Sequence, residues 1–409
     1  MKRLLSFVLL VTVLLSALIL SSCSNRKFQG FGTKYVLNTD KSSYTLAYMY
    51  IDKKGDVVIP SEYNGLPITR IRKNVFWNEK YVESLTIPAT VTHINNSAFE
   101  NCVNLKKVTF EDGSCLEKIE HSAFSNCGSL REIELPATVE YIASSAFRNC
   151  TSLESISIPK GVSNLDGAAF YGCSSLNTIT VDEENETYKK VGNFIYEFKN
   201  GRKNLAMCLS GDENGNLFLP EDIDEIKSGA FTLCKNVDTV YLHAGFDVIP
   251  RIECAKAYVV ADENPNFYSL DGVVYSKDTR YLIHYPQSKE DKTFTVPDGV
   301  IGIDGDLFGA TAFMGVKYLE NLIIPEGVEY IGARAFLESS IKYVELPKSI
   351  KKVGKQAFYD CSSLKEMKYA GTRREFGNLM PLIWVNCWET SMLKLVCSKG
   401  TTYVWWGIV

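Results

Sequence analysis

The chain has 409 residues, of which 45% are hydrophobic, and its formal net charge at pH 7 is −4. Proteins that bind nucleic acid usually carry a basic patch or stripe, so this balance argues against a nucleic-acid partner. It also gives no support to membrane adhesion through a polybasic surface. The length allows one large domain or several smaller ones, and composition alone does not decide between them.

The first 22 residues have the pattern of an export signal. Lys2 and Arg3 precede an apolar run over residues 4–20, which is at the short limit for a membrane span and is followed by small residues. The Leu-Ser-Ser-Cys motif that ends at Cys23 resembles the lipobox of bacterial lipoproteins. This resemblance implies lipidation of Cys23, with a retained transmembrane helix as the alternative. We expect a lipoprotein signal peptide at residues 1–22 and a polar tether at residues 23–29.

Residues 30–65 differ in composition from the rest of the chain and are expected to form an N-terminal cap. Apolar residues alternate on both sides of the pair Lys54-Gly55, which predicts a β-hairpin. We expect this segment to cover the first unit of a repeat.

The repeat is built around an Ala-Phe pair, which recurs in steps of 25, 23 and 23 residues from Phe99 to Phe170. A cysteine follows most of these phenylalanines after three residues, and a leucine follows the cysteine after three more. The unit reads V-x-x-I-x-x-x-A-F-x-x-C-x-x-L-x-x-I-x-I-P. The pairs are Ala98-Phe99, Ala123-Phe124, Ala146-Phe147, Ala169-Phe170, Ala230-Phe231, Ala335-Phe336 and Ala357-Phe358, with Val75-Phe76 and Leu307-Phe308 as variants.

Each part of this unit has a physical meaning. The alternating end predicts a short strand with one buried face, and the proline ends that strand because it cannot donate to a sheet. The small alanine beside the large phenylalanine suits a short helical turn. A single unit cannot bury its own apolar residues, whereas stacked units place Phe on Phe and Ile on Ile. The repeat therefore predicts an α/β solenoid of strand-rich coils, each 22–25 residues long.

The form A-F-x-x-C-x-x-L-x-x-I-x-I-P resembles the BspA-like leucine-rich repeats of bacterial surface proteins. The resemblance covers about residues 65–370, with nine recognisable copies of the unit. It implies a solenoid whose strands line the concave side, in a family that serves in adhesion and in binding to host or matrix. We expect repeats at residues 66–181, 218–259 and 296–370.

Two segments interrupt the repeat, at residues 182–217 and 260–295, and they are copies of each other. The matching residues are Asn185 and Asn264, Tyr188 and Phe267, and Tyr196 and Tyr275, each pair 79 residues apart. Aromatic residues alternate around a Gly-Asn or Asp-Gly turn in each segment, which predicts two β-hairpin inserts that project from the solenoid.

Residues 371–409 depart from the repeat once more. Four tryptophans gather there, Trp384, Trp388, Trp405 and Trp406. Because the last coil of a solenoid needs a cover over its apolar face, a C-terminal cap is predicted, with an aromatic ligand site as the alternative.

Motifs for chemistry are weak throughout. Six of the twelve cysteines lie on the repeat, where we expect reduced thiols that pack as small hydrophobic groups, although a disulfide between neighbouring coils stays open. Cys387 and Cys397 are a candidate pair within the cap. The cysteine spacings, the four scattered histidines and the glycines match no metal, nucleophile or phosphate motif. We therefore expect no metal, no cofactor and no catalytic residues.

What remains is a binding surface formed by the outward positions of the strands. Aromatic residues are typical anchors of protein interfaces, which favours the later strands. An ordinary solvated sheet face is the alternative for any one position. The candidate contact residues are Tyr241, Tyr343, Ile323, Glu345 and Thr180.

These observations predict a non-enzymatic lipoprotein of the bacterial envelope, at the outer membrane or the cell surface. Its membrane contact is the lipid on Cys23, and its solenoid binds a protein or glycan partner. An enzyme or accessory subunit that acts on surface polysaccharide is one alternative. A structural envelope protein without a specific ligand is the other.

Overall fold

The computed structural model describes residues 32–305, 311–379 and 392–405. The predicted signal peptide, the tether and Cys23 lie outside these residues, as do Leu307-Phe308, Trp384, Cys387, Trp388 and Trp406. Within the described residues the only α-helix is α1 (Arg373–Leu379), and no helix there is long and apolar enough to cross a membrane. The predicted solenoid is confirmed, but its helical part is minimal because the Ala-Phe segments form tight turns.

The alternating end of each unit forms a strand, and consecutive strands pair in parallel. Their outward side chains form a surface that we call the strand face. These strands are β3 (Gly55–Val58), β6 (Val82–Ile87), β8 (Lys107–Phe110), β10 (Glu132–Ile133), β12 (Ser155–Ile158), β14 (Thr178–Val181), β18 (Asn216–Phe218), β20 (Thr239–Leu242), β21 (Ala257–Val260), β25 (Thr293–Thr295), β27 (Asn321–Ile323), β29 (Tyr343–Leu346) and β31 (Glu366–Tyr369). They form separate sheets in the orders β10-β8-β6-β3, β12-β14, β18-β20-β21 and β25-β27-β29-β31.

The V-x-x-I part of each unit forms a second, two-residue strand, and these short strands make a parallel ladder of their own. They are β7 (His93–Ile94), β9 (Lys118–Ile119), β11 (Tyr141–Ile142), β13 (Asn164–Leu165), β19 (Glu225–Ile226), β26 (Gly302–Ile303), β28 (Tyr330–Ile331) and β30 (Lys352–Val353). A regular coil therefore has two strands, one in each ladder, but the short-strand ladder is interrupted after β13 and after β19.

The N-terminal segment does not contain the predicted hairpin. Its strands are β1 (Lys34–Leu37), β2 (Tyr44–Tyr48), β4 (Glu62–Tyr63) and β5 (Leu66–Ile71), together with β3. β2 pairs with β1 and β5, whereas β3 pairs with β6 in the other ladder. The turn at Lys54-Gly55 is thus a corner between two ladders, because the alternating residues on its two sides extend different sheets.

The phenylalanines stack in interior columns. Rings of Phe76, Phe99, Phe124, Phe147 and Phe170 lie 4.9, 5.1, 5.5 and 5.6 Å apart in order. A second column joins Tyr285, Phe313, Phe336 and Phe358 at 5.2, 5.2 and 4.6 Å. All of these side chains are buried, and each stacked pair contributes about 0.5–1.5 kcal/mol beyond its burial. The packing of Phe on Phe that the repeat predicts is confirmed.

The Asn-Cys dipeptide of the repeat also has a structural reason. Asn101, Asn126 and Asn149 have φ angles of 62°, 59° and 56°, a left-handed conformation that asparagine tolerates better than most residues. The cysteine that follows is buried, and its thiol lies against a backbone carbonyl of the preceding coil. Cys127 Sγ, for example, lies 3.2 Å from Phe99 O. Burial raises the pKa of Cys102 to about 12, so that thiol stays protonated and donates.

Each insert contains three antiparallel strands. The first insert has β15 (Tyr188–Val191), β16 (Phe194–Lys199) and β17 (Arg202–Cys208), and the second has β22 (Phe267–Leu270), β23 (Val273–Ser276) and β24 (Tyr281–His284). The third strand of each insert joins the short-strand ladder, because β17 pairs with β19 and β24 pairs with β26. The inserts are therefore hydrogen-bonded into the solenoid.

The C-terminal end extends the long-strand ladder. Thr372 Oγ1 accepts from the backbone N–H of Glu375, and Glu375 Oε2 accepts from the backbone N–H of Thr372, a reciprocal pair that starts α1. After the helix, β32 (Met392–Cys397) pairs with β31, and β33 (Gly400–Trp405) pairs with β32.

Candidate binding face

The five predicted contact residues lie on three sheets of the strand face. Thr180 is exposed on the two-stranded sheet β12-β14, opposite Ser157. Tyr241 is half-buried in the middle sheet, on β20. Ile323, Tyr343 and Glu345 lie together on the C-terminal sheet. The structure therefore groups three of the five residues and separates the other two.

The middle sheet carries a row of apolar side chains, which we call the aromatic row. Phe218, Tyr241 and Val259 are cross-strand neighbours on β18, β20 and β21. The rings of Phe218 and Tyr241 stack with 4.4 Å between their centroids. Phe218 is 59% exposed and Val259 is 41% exposed, so the row faces solvent. Contiguous exposed apolar side chains make this row a candidate interaction surface.

Ile323, Tyr343 and Glu345 line a depression of about 380 Å³ on the C-terminal sheet, here called the C-terminal depression. Its wall is completed by Thr293, Asn321, Leu322, Val344, Glu366 and Lys368. Tyr343 is 40% exposed and lies between Asn321 and Glu366 on the adjacent strands. An exposed ring flanked by amide and carboxylate groups offers both an apolar contact and hydrogen bonds to a ligand.

The charges of this depression are largely compensated within it. Lys368 Nζ lies 2.7 Å from Glu345 Oε1, and Lys394 Nζ lies 2.7 Å from Glu366 Oε2. The hydrogen bond that Lys368 donates to Glu345 raises the pKa of Lys368, and the bond that Lys394 donates to Glu366 raises the pKa of Lys394. The ion pairs hold these side chains across the strands, so a partner meets a surface whose charges are largely neutralised.

The earlier coils present a different surface. Most of the outward positions that correspond to the aromatic row hold hydroxyl residues, which are Thr86, Thr109, Ser157 and Thr180. The exceptions are Glu134, beside Thr109, and Val58, which lies opposite Thr86 and is 62% exposed. Apart from Val58, this row is polar in the first half of the strand face, and it carries aromatic residues in the second half.

Phe218 and Val259 were not among the predicted contact residues. Phe218 precedes Leu219-Pro220, the end of its strand, and Tyr241 precedes Leu242 on the next strand. Both residues therefore occupy the outward position of their strands. That alignment is the signal in the sequence that identifies Phe218. Val259 follows in the next strand, immediately before the second insert, where the repeat pattern is already lost.

The described residues contain little that resembles a catalytic centre. No cluster of three or more His, Cys, Asp or Glu in that part of the chain is arranged to hold a metal ion. Its two buried carboxylates, Glu197 and Asp304, belong to different sheets. Glu197 accepts from Asn204 Nδ2 and from the Tyr188 hydroxyl, which gives it a structural role in the first insert. Hydrolysis of a polysaccharide normally uses a pair of close carboxylates.

The cysteines of the described residues are free thiols, and several of them are close neighbours. Cys208 Sγ, at the end of β17, lies 3.2 Å from Cys234 Sγ in the coil that follows. Cys397 is buried on β32, while Cys387, its predicted partner, lies outside the described residues.

Solved structures similar to this chain include leucine-rich repeat proteins of bacteria. A leucine rich cell surface protein from Faecalibacterium prausnitzii is 23% identical, with 86% of this chain and 97% of that chain covered and a TM-score of 0.43. A leucine-rich repeat protein from Bacteroides ovatus is 18% identical, with 90% and 100% covered and a TM-score of 0.37. The pneumococcal vaccine antigen PcpA is 23% identical, with 84% and 81% covered and a TM-score of 0.35. Similarities this weak carry no argument about function.

No curated protein sequence matches the chain. The family model described as the BspA type leucine rich repeat region does match, in six copies over residues 69–200 and 289–380. These ranges cover more than half of the chain and contain both phenylalanine columns except Tyr285. The chain therefore belongs to the BspA-type leucine-rich repeat family.

Proposed function

We propose that this protein is exported, anchored to the bacterial envelope through a lipid on Cys23, and binds a protein or glycan partner with the second half of its strand face. The observation that carries the proposal is the aromatic row. Phe218 and Val259 expose apolar surface beside Tyr241, where most first-half strands present hydroxyl groups. A structural envelope protein without a specific ligand does not require a local exposed apolar patch.

The mechanism is recognition without turnover. Tyr241 and Tyr343 are the proposed anchors, because aromatic residues on a rigid sheet lose little conformational freedom when they bind. Ile323 widens the apolar contact at the C-terminal depression, and Glu345 supplies carboxylate oxygens at its rim. Thr180 extends the proposed contact onto the polar half of the face.

A binding screen against host matrix proteins and glycans tests this function. Once a ligand is found, Tyr241→Ala and Tyr343→Ala are expected to weaken it about tenfold or more, as loss of an interface anchor does. Tyr171→Ala is the matched control, since Tyr171 is exposed in a turn, away from the strands of the face. Unchanged affinity in both strand-face variants would contradict the proposed face.

The same screen separates the alternatives. Release of sugar from a polysaccharide in the panel would favour the enzyme, and absence of any ligand would favour the structural envelope protein. The anchor is tested by cell fractionation. Cys23→Ala is expected to move the protein out of the membrane fraction, and its retention there would contradict lipid anchoring through Cys23.

A further inference from the structure

A cleft of about 1030 Å³ opens in the middle of the solenoid. One wall is residues 221–232, which include β19, and the other is residues 243–253, which follow β20. The cleft arises from a shortened coil. The connection between β12 and β14 comprises residues 159–177, whereas the connection between β20 and β21 comprises residues 243–256 and is five residues shorter.

The residues that this coil lacks are those that would form a short strand. The matching asparagines of the two inserts align the two connections. Asn185 Nδ2 donates to Val162 O in the longer connection, and Asn264 Nδ2 donates to Phe246 O in the shorter one. Val162 and Phe246 are therefore equivalent positions. β13 begins two residues after Val162, but residues 247–253 form no strand. The ladder therefore stops at β19.

The backbone carbonyls at β19 face the cleft. In other coils the equivalent carbonyls accept hydrogen bonds from the next coil. In a complete coil, Glu117 O and Ile119 O accept from Tyr141 N and Ala143 N of the next coil, at 3.1 and 3.0 Å. The equivalent carbonyls on β19 are Asp224 O and Ile226 O. Within the described residues no N–H donates to either carbonyl. An open sheet edge of this kind is a template for an added strand.

The charge of the cleft indicates what kind of strand fits. Its lining contains five carboxylates and two cations. The carboxylates belong to Glu221, Asp224, Glu225, Asp247 and Glu253, and the cations to Lys227 and Arg251. Lys227 Nζ is already engaged, 3.6 Å from Glu197 Oε2 and 3.8 Å from Glu225 Oε1. Val248, which is 52% exposed, adds an apolar contact to the acidic wall.

We propose that this cleft binds an extended segment of a partner protein in which Lys or Arg alternates with apolar residues, and that this segment adds as a strand to β19. Its backbone N–H groups donate to Asp224 O and Ile226 O. Its apolar side chains contact Ile226 and Val248, while its cations face the carboxylates, since alternate side chains of a strand point to opposite sides. The inference is independent of the strand face, because the two surfaces use different residues.

The probe is a fluorescent ten-residue peptide of alternating lysine and valine, titrated with the full chain and followed by anisotropy. Binding is expected to weaken as salt is added, because the attraction is between opposite charges. The double variant Glu221→Lys/Asp247→Lys is expected to bind about tenfold more weakly or worse at low salt. The control is Glu132→Lys/Glu154→Lys, an equal change of charge at two exposed positions of other coils, which is expected to leave binding unchanged.

A second peptide tests the strand geometry without changing the protein. Methylation of alternate backbone nitrogens removes the N–H donors and is expected to abolish binding, although charge and composition are retained. Equal binding of the two peptides would overturn the proposal, as would an equal loss in the control variant or no binding of the unmodified peptide. Displacement by a neutral glycan, or self-association of the chain that the Glu221→Lys/Asp247→Lys variant abolishes, would identify a different occupant and overturn it as well.

Discussion

The two inserts are copies in sequence, yet they contact the preceding coil of the solenoid differently. Both are anchored by an asparagine that is 0% exposed. Asn185 Nδ2 donates to Pro159 O and Val162 O, and its Oδ1 accepts from the N–H groups of Thr187 and Tyr188. Asn264 makes the same four bonds, to His243 O and Phe246 O and from Asn266 and Phe267.

The inserts differ in what they meet. The hydroxyl of Tyr188 accepts from Leu165 N at 2.9 Å and so covers the free edge of β13. Phe267 occupies the matching position in the second insert and has no hydroxyl, and the coil before it has no short strand to cover. The asparagine anchor is thus a property of the insert itself. Whether a sheet edge is covered or open depends instead on the length of the preceding coil.

The largest expected effect concerns the shared anchor. Asn185→Ala and Asn264→Ala each leave two carbonyls and two N–H groups without their partner, so each is expected to lower the free energy of unfolding by about 4 kcal/mol. Urea unfolding measures both losses. Asn177→Ala, at an exposed asparagine, is the control and should change stability by less than about 0.5 kcal/mol. A loss at only one of the two anchors would show that the inserts are not held alike.

A smaller difference is expected from pH. His284 is buried in the second insert, and neither of its ring nitrogens has a hydrogen-bond partner among the residues that the structure describes. Burial, with Arg251 nearby, lowers the pKa of His284 to about 3. The unfolded state takes up a proton near pH 6.5 and the folded state does not, so stability is complete above that pH and falls as the pH decreases towards 3. The loss between pH 7 and pH 5 is about 2 kcal/mol.

The first insert supplies the matched variant for this measurement. His284 pairs with Val274, and Met207 pairs with Ile195 at the corresponding position of β17, next to the same β-bulge. His284→Met is therefore expected to remove this part of the pH dependence from unfolding measured at pH 7 and pH 5. An identical pH dependence in the variant would mean that other groups cause it.

The smallest expected effect is at the covered edge. Tyr188→Phe removes the acceptor of Leu165 N and the donor to Glu197 Oε1, and is expected to cost about 1 kcal/mol in urea unfolding. Tyr196→Phe is the control, because Tyr196 lies in the same sheet and its ring packs against Phe194. Equal effects of the two changes would contradict a special role for the Tyr188 hydroxyl.

Much of the fold follows from the periodicity of the chain. The Ala-Phe spacing predicts the stacked columns, and the alternating end predicts the long strands, because both depend on contacts between copies of one pattern. The N-terminal hairpin was predicted wrongly for a related reason. Local alternation identifies the strands β2 and β3 but does not specify that they pair with different neighbours.

The candidate binding surfaces are harder to predict from the sequence than the fold is. Tyr241 and Tyr343 were identified from their outward positions, and their role in binding stays a prediction. Phe218 was overlooked because its neighbours belong to the end of an insert. The cleft depends on a connection that is five residues short, which a residue count reveals only after the strands on both sides are known.

By itself, the sequence determined that this protein is a stack of coils, since each unit carries more apolar residues than it can bury and its best partner is another copy. Only the tertiary structure decided which coil edges are paired, which are covered and which are open. Hydrogen bonds between coils depend on the register of residues far apart in the chain, and one shortened connection leaves Asp224 O and Ile226 O facing a cleft instead of a neighbouring strand.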